Sequence, residues 1–288
     1  MTKMRNEEQM MNLILNFAEN NEKIRAVYMN GSRTNPNIKK DIYQDYDIVY
    51  VVTDVLSFVN NKSFIHNFGE IAIVQEPCSA EFAWGDGMDY SKFYNWLILF
   101  KDGNRIDLTL QSIPVAIKEI IKDSLVVTIM DKDNILPKLP VSNDSNYIIS
   151  KPSLEEFNGC CNEFWWCLNN VGKGIMRGEL VYYMDMYNKY VRDMLIKMLE
   201  WNIACEHDFK ISTGKCGKFF ADFCDDNQLK LIQKTYSNDI WESVFYSCEL
   251  FSKSAKKVGK ALKYKYNQND EQAIIDYLNN LKNNEYFM

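Results

Sequence analysis

The first periodic stretch of the chain is residues 6–20, NEEQMMNLILNFAEN. Met10, Leu13, Ile14, Phe17 and Ala18 recur three or four apart, which predicts an amphipathic helix. Short runs rich in Val, Ile and Tyr follow at 24–29, 46–53 (YDIVYVVT) and 71–74, and each reads as a strand. Residues 94–101 (YNWLILFK) and 104–110 (NRIDLTL) flank Asp102-Gly103, a pair favoured in tight hairpin turns. The pattern opens with a helix and continues into a mixed or antiparallel sheet.

Past Pro137, Pro140 and the polar run 142–146, the period becomes helical. Residues 153–172 place Leu154, Phe157, Cys161, Phe164, Leu168 and Val171 on one face. Residues 179–200 predict a second long helix, with Val181, Met184, Asn188, Val191, Leu195 and Met198 in one stripe. Asn188 interrupts that stripe, and Asp185 and Arg192 flank it, which suits either a cleft wall or a surface ion pair. Trp165, Trp166 and Glu163 pose the same choice between a cleft and the core. Further helices are expected at 226–235, 238–260 and 270–284, and no internal repeat appears. The expected fold class is α+β: a mixed sheet with flanking helices over 1–140, followed by an all-α helical bundle over 141–288.

With 288 residues, 47% hydrophobic and 25% charged, the chain suits two domains with sizeable cores. No run of 18 apolar residues exists, and the N-terminal MTKMRNEEQMMN lacks the apolar segment of a signal peptide. A cytoplasmic protein without membrane contact is expected, as a monomer. The net charge of −6 argues against a nucleic-acid partner. Eight cysteines occur without a C-x-x-C pair and read as reduced, mostly buried thiols. The two histidines, His66 and His207, have no evident nucleophile or carboxylate partner, which disfavours Ser-His and Cys-His chemistry. Carboxylates and a metal remain the better candidates.

Residues 31–52, GSRTNPNIKKDIYQDYDIVYVV, carry such carboxylates. Residues i and i+2 of a strand share a face, so Asp45 and Asp47 project together and repel unless a cation is near. Mg²⁺ takes oxygen ligands and leaves positions open for phosphates. Gly31 and Ser32 supply a turn where backbone N–H groups and a hydroxyl meet phosphate. Asp107 interrupts an apolar strand between Ile106 and Leu108 and is positioned to join the same sheet. Such a set suits two-metal phosphoryl chemistry, with one carboxylate as general base. Taken alone, an Asp-x-Asp at a strand end is more often a solvated edge or a turn; the Gly-Ser turn ahead of it, the intervening loop and the later Asp107 together favour the metal site.

Gly31-Ser32, twelve residues, then Asp45-Tyr46-Asp47-Ile48 resembles the signature of the nucleotidyltransferase superfamily. Asn30 stands where an apolar residue usually precedes the glycine. Within the superfamily the chain is similar to the aminoglycoside 6-adenylyltransferase family of streptomycin-modifying enzymes. The similar segments are GSRTNPNI, IYQDYDIVYVVTD, RIDLTL, KPS with CCNEFW (151–165), YNKYVR (187–192) and GKCGKF (214–219). The resemblance implies a nucleotidyltransferase-type first domain and a helical domain that binds substrate and nucleotide. It implies AMP transfer from Mg-ATP to an aminoglycoside hydroxyl, with Mg²⁺ as cofactor and ATP as co-substrate. It assigns Asp45 and Asp47 to metal, and Asp107 as third carboxylate and possible base. Gly31, Ser32, Arg33, Arg192, Lys215 and Lys218 fall to the nucleotide, and Glu81, Asp185 and Asn188 to the aminoglycoside. Residues 81–89, EFAWGDGMD, depart from the Glu-Leu-Phe-Pro-rich stretch associated with the family. Transfer to another small antibiotic or to a protein side chain stays open, as does nucleotide binding without turnover.

Overall fold

The computed structural model describes residues 3–79 and 89–283. The chain divides into two compact units, Met1–Asn146 and Tyr147–Met288.

In the first unit α1 (Glu7–Glu19) starts at Asn6, whose side chain accepts from the Gln9 N–H while Gln9 accepts from the Asn6 N–H. This reciprocal cap satisfies two of the donors a helix start leaves free. The helix buries Met10, Ile14 and Ala18, three of the apolar positions or their neighbours one turn apart. Six strands form one sheet: β1 (Ile24–Asn30), β2 (Tyr46–Val52), β3 (Ile71–Gln75), β4 (Phe93–Phe100), β5 (Arg105–Ser112) and β6 (Val126–Asp131). Their lateral order is β3-β4-β5-β2-β1-β6. Among the described residues only the central β2–β5 pair is parallel, so the sheet is mixed.

Strand alternation sorts the side chains. Ile48, Tyr50 and Val52 of β2, with Ile106, Leu108 and Leu110 of β5, pack beneath α1 among Phe58, Phe64, Phe68 and Trp96. Val49 and Val51 face the other way, onto Ala26, Tyr28, Ala116 and Ile120. Short helices α2 (Val55–Val59) and α3 (Ile113–Glu119) follow β2 and β5. The sequence pattern did not predict α3 or β6. In β6 only Val126 is fully buried, so this edge strand lacks a clear alternation.

The N-terminal segment is fastened to the β4–β5 turn. Arg5 Nε donates to Asp102 Oδ2 at 2.5 Å, a second guanidinium nitrogen reaches the Phe68 carbonyl, and Asn104 Nδ2 donates to the Arg5 carbonyl at 3.1 Å. The Asp102 side chain is 5% exposed. Burial alone would push its carboxyl up; hydrogen bonds from Arg5 and Asn104 outweigh that and hold it well below the usual carboxylate range.

In the second unit α4 (Leu154–Met176) begins with a Ser153–Glu156 capping box and buries Phe157, Cys160, Cys161, Phe164, Trp165, Leu168 and Val171. Trp165 donates to the Tyr266 hydroxyl at 2.9 Å, whereas Trp166 is exposed. The expected 179–200 helix is three pieces: α5 (Leu180–Met186), a π turn over Tyr187–Val191, and α6 (Arg192–Glu206). The π turn adds one residue to a turn and shifts the helical phase by about 100°. The expected single stripe is corrected accordingly: Val191, Leu195 and Met198 are buried, but Val181 and Met184 are exposed and Tyr187 is buried instead. The Tyr187 hydroxyl lies within hydrogen-bond distance of the carbonyls of Thr235 and Ser243 and of Ser247 Oγ. The unit is completed by α7 (Phe220–Phe223), α8 (Asp226–Lys234), α9 (Ile240–Leu262) and α10 (Gln268–Lys282). Phe164 of α4 stacks on Phe251 of α9 at 3.7 Å between centroids. All eight cysteines are free thiols, five of them buried. Among the described residues no helix is long and apolar enough to cross a membrane.

The Arg5–Asp102 pair predicts a pH-dependent stability. Because the Asp102 carboxyl is depressed in the fold, its contribution is present above the ordinary Asp value of about 4 and fades as pH falls toward the folded value. Asp102→Asn is expected to cost about 1.5–3 kcal/mol at pH 7, measured by urea unfolding. The gap from the parent protein should narrow below about pH 4; a gap that widens on acidification would disprove the coupling.

Candidate active site

The register of the parallel β2–β5 pair builds the site. Tyr46 pairs with Ile106 and Asp47 with Asp107, so the two carboxylates stand side by side on adjacent strands. Extending that register by one step sets Asp45, just before β2, beside Arg105. Asp45, Asp47, Arg105 and Asp107 all have odd numbers and share the face opposite α1. Asn30 of β1 pairs with Asp47 on the other side, so one polar row crosses three strands. Like charges opposite one another on neighbouring strands are destabilising. Arg105 supplies the compensation. Its Nε and a second nitrogen donate to the two Asp107 oxygens at 2.7 Å each, and the remaining nitrogen lies 3.4 Å from Asp45 Oδ2.

The charges perturb one another. Burial pushes the Asp45 carboxyl above its usual value; Arg105 opposes this, Asp107 adds to it, and Arg33 opposes it further. The Arg105 guanidinium is held more firmly protonated, first by its hydrogen bond to Asp107 and further by the charges of Asp107, Asp45 and Asp47 against a burial cost.

Gly31 shapes the wall of this cluster. Its φ is +77°, and a Cβ there would lie 2.2 Å from Asp47 Oδ2. The glycine N–H donates to the Leu125 carbonyl at 3.0 Å, and its own carbonyl accepts from the Thr34 backbone and hydroxyl. Ser32 begins the 3-10 turn Ser32–Thr34 immediately after it. Arg33, assigned to the nucleotide from the sequence, points inward. Its guanidinium donates to the carbonyls of Asp45 and Gln44 at 3.1 and 2.8 Å, contacts Glu7 at 3.3 Å and stacks over Tyr46 at 3.8 Å. It thereby fixes the segment that leads Asp45 into β2. Gln44 Oε1 beside it is buried without a hydrogen-bond partner.

Asp47 and Asp107 on adjacent strands, with Asp45 just before β2, offer the oxygen donors that Mg²⁺ takes. Two of them, Asp45 and Asp107, engage Arg105, and among the described residues no three acidic, histidine or cysteine side chains converge closely enough to hold a metal as they stand. The donor chemistry fits a hard divalent cation, and the guanidinium occupies the oxygens it would use. Arg105 lies within RIDLTL without a role assigned from the sequence; its signal there is the i, i+2 spacing to Asp107, which places both on one strand face.

In the helical unit Arg192 donates to Asn188 Oδ1 at 3.2 Å and to the Thr235 carbonyl at 2.9 Å, and lies over the Tyr236 ring at 3.6 Å. Asp185 pairs with Lys189 at 2.6 Å, not with Arg192. Lys215 and Lys218 are exposed on one loop around the 3-10 turn Lys215–Gly217. Lys215 borders a cavity of about 530 Å³ with Lys197, Glu200, Trp201 and Thr213. Burial raises the Glu200 carboxyl there, against a hydrogen bond from Thr213 and the charge of Lys197. Glu81 lies outside the described residues.

Comparison with known proteins supplies independent information. A family profile described as streptomycin adenylyltransferase matches residues 4–281. An aminoglycoside 6-adenylyltransferase of Bacillus subtilis (strain 168) is 39% identical over 275 residues, covering 93% of this chain and 95% of the relative. One of Staphylococcus aureus is 34% identical over 286 residues, covering 96% and 99%. A crystal structure of an aminoglycoside 6-adenyltransferase from Bacillus subtilis shares 33% identity, covers 97% of this chain and 99% of its own, and has a TM-score of 0.47.

Gly31→Ala tests the wall. The added methyl must displace the Asp47 carboxylate, and a side chain at this φ is strained. A stability loss of at least about 1–3 kcal/mol is expected, read by chemical denaturation; a neutral substitution would mean that Asp47 does not pack against the glycine.

Proposed function

Because the chain belongs to the streptomycin adenylyltransferase family, and aminoglycoside adenylylation is the activity its relatives carry, we propose that it transfers AMP from Mg-ATP to a hydroxyl of streptomycin, releasing pyrophosphate. The observation that carries the proposal is the in-register Asp47–Asp107 pair with Asp45 one step away. Three carboxylates gathered on one face repel one another, and a bound divalent cation would relieve that repulsion.

In this reading Asp45 and Asp47 hold Mg²⁺, with Asp107 completing the set. The bound ion would supply charge stabilisation for the phosphates during in-line displacement. The acceptor hydroxyl oxygen attacks the α-phosphorus, the bond from that phosphorus to the α–β bridging oxygen breaks, and pyrophosphate departs with the electron pair. Asp107 accepts the hydroxyl proton. Ser32, at the turn whose glycine abuts Asp47, is assigned to a phosphate oxygen. Arg33 keeps Asp45 in place through the Gln44 and Asp45 carbonyls. In the helical unit Arg192, Lys215 and Lys218 are the cations assigned to the nucleotide. Asp185 and Asn188, with Glu81, are the groups assigned to the cationic antibiotic, whose guanidinium groups match carboxylates in charge and shape.

Pyrophosphate release from Mg-ATP, with streptomycin or other aminoglycosides as acceptor, tests the proposal. Release dependent on streptomycin is expected. Asp107→Asn should lower kcat by at least about 10²-fold, the lower range of general-base contributions, with streptomycin KM little changed. Absence of release with every aminoglycoside would refute the acceptor class, and an unaffected Asp107→Asn would remove that residue from proton transfer.

A further inference from the structure

We propose that Arg105 is the resting counter-ion of the carboxylate cluster, held where a divalent cation binds, and that the cation must displace it. The inference rests on the reading of Asp45, Asp47 and Asp107 as the metal-binding set.

Besides Arg25, which forks onto Asp133 from the start of β1, three arginines in this unit make close carboxylate contacts, and they differ in kind. Arg5 and Arg33 each donate to backbone carbonyls as well, Arg5 to Phe68 and Arg33 to Gln44 and Asp45. Their side chains are 21% and 5% exposed. They are parts of the scaffold. Arg105 contacts carboxylates: a fork onto both oxygens of Asp107 and a third nitrogen toward Asp45. Its side chain is 40% exposed, so solvent is open to it when it leaves the cluster.

The fork uses the oxygens that metal coordination needs. With both Asp107 oxygens bonded to one guanidinium and a further nitrogen 3.4 Å from Asp45, a divalent ion bound by these carboxylates would meet a like charge at close range, which drives the guanidinium away. The charge balance favours a different occupant in each state. Without metal, the facing Asp47 and Asp107 need a positive neighbour, and Arg105 is the one whose strand position provides it. With a divalent ion present, a guanidinium in the same place is a like charge and is expelled. Arg105 therefore sets the metal concentration at which the site fills, and it keeps the empty sheet end from carrying adjacent unpaired charges.

The test measures metal binding without nucleotide or turnover. Mn²⁺ is titrated at low ionic strength into the full chain and its free concentration read by electron paramagnetic resonance. Arg105→Gln is expected to bind Mn²⁺ about tenfold more tightly than the parent, which corresponds to about 1.4 kcal/mol. Metal-free Arg105→Gln should also melt at a lower temperature than the parent, and saturating Mn²⁺ should close the difference. Arg105→Lys, which retains the charge but not the fork, should fall between the two in affinity. The double variant Asp47→Asn with Arg105→Gln separates the premises. If it loses Mn²⁺ while Arg105→Gln binds no more tightly than the parent, the carboxylates stand and the arginine proposal falls. If it binds as tightly as Arg105→Gln, the metal lies elsewhere and the reading of the cluster fails first.

Discussion

Two carboxylates in parallel register dominate the first unit. Asp47 and Asp107 occupy facing positions on the central strand pair, where β2 is buried at every position but Asp47 and β5 largely alternates between half-buried and buried residues. Their repulsion has to be answered locally, because burial weakens screening by solvent. Several neighbouring features take their meaning from that need. Arg105 lies two residues ahead of Asp107 on the same face. Gly31 lacks the side chain that would push Asp47 away. Arg33 holds the approach to β2 through carbonyls, leaving the Asp45 carboxylate to face the cluster. The remainder of the sheet, with its aromatic layer under α1, supplies rigidity, and the Arg5–Asp102 fastening secures the far side of the β4–β5 hairpin.

The helical unit follows a different logic. Its core is aromatic and thiol-rich, with stacked Phe164 and Phe251 and the buried Cys160, Cys161 and Cys248. Polar order is concentrated around Tyr187, Arg192 and Thr235, where one hydroxyl, one guanidinium and one helix end share partners. A π turn sits at the centre of that network. Such turns cost regular hydrogen bonding and are retained where the displaced side chains are used.

The sequence disclosed the parts whose signal is local. The period of residues 6–20, the Asp-Gly hairpin and the long helices 153–172 and 238–260 all have counterparts in the structure, shifted by a few residues at their ends. The mixed character of the sheet was anticipated, but β6 was missed because an edge strand has no strict alternation. The Asp-x-Asp motif and the later Asp107 were visible as chemistry, whereas their exact pairing depends on strand register, which one sequence does not display. Arg105 was overlooked for the same reason: a single arginine before an aspartate gains significance only when the neighbouring strand brings a second and third carboxylate. The stripe of 179–200 breaks at Val181 and Met184 because a regular 3.6-residue period does not cross a segment with an extra residue in one turn.

That extra residue makes the helix a junction between two phases. Residues before Tyr187 present one face to α4, and residues after Val191 present another to α9. Removing one position from 187–191 would restore α-geometry and rotate the two halves by about 100° relative to each other. Side-chain replacements in the turn alter one contact at a time, but a change in its length re-aims every residue on one side. A change of length is therefore excluded from this short segment by geometry alone.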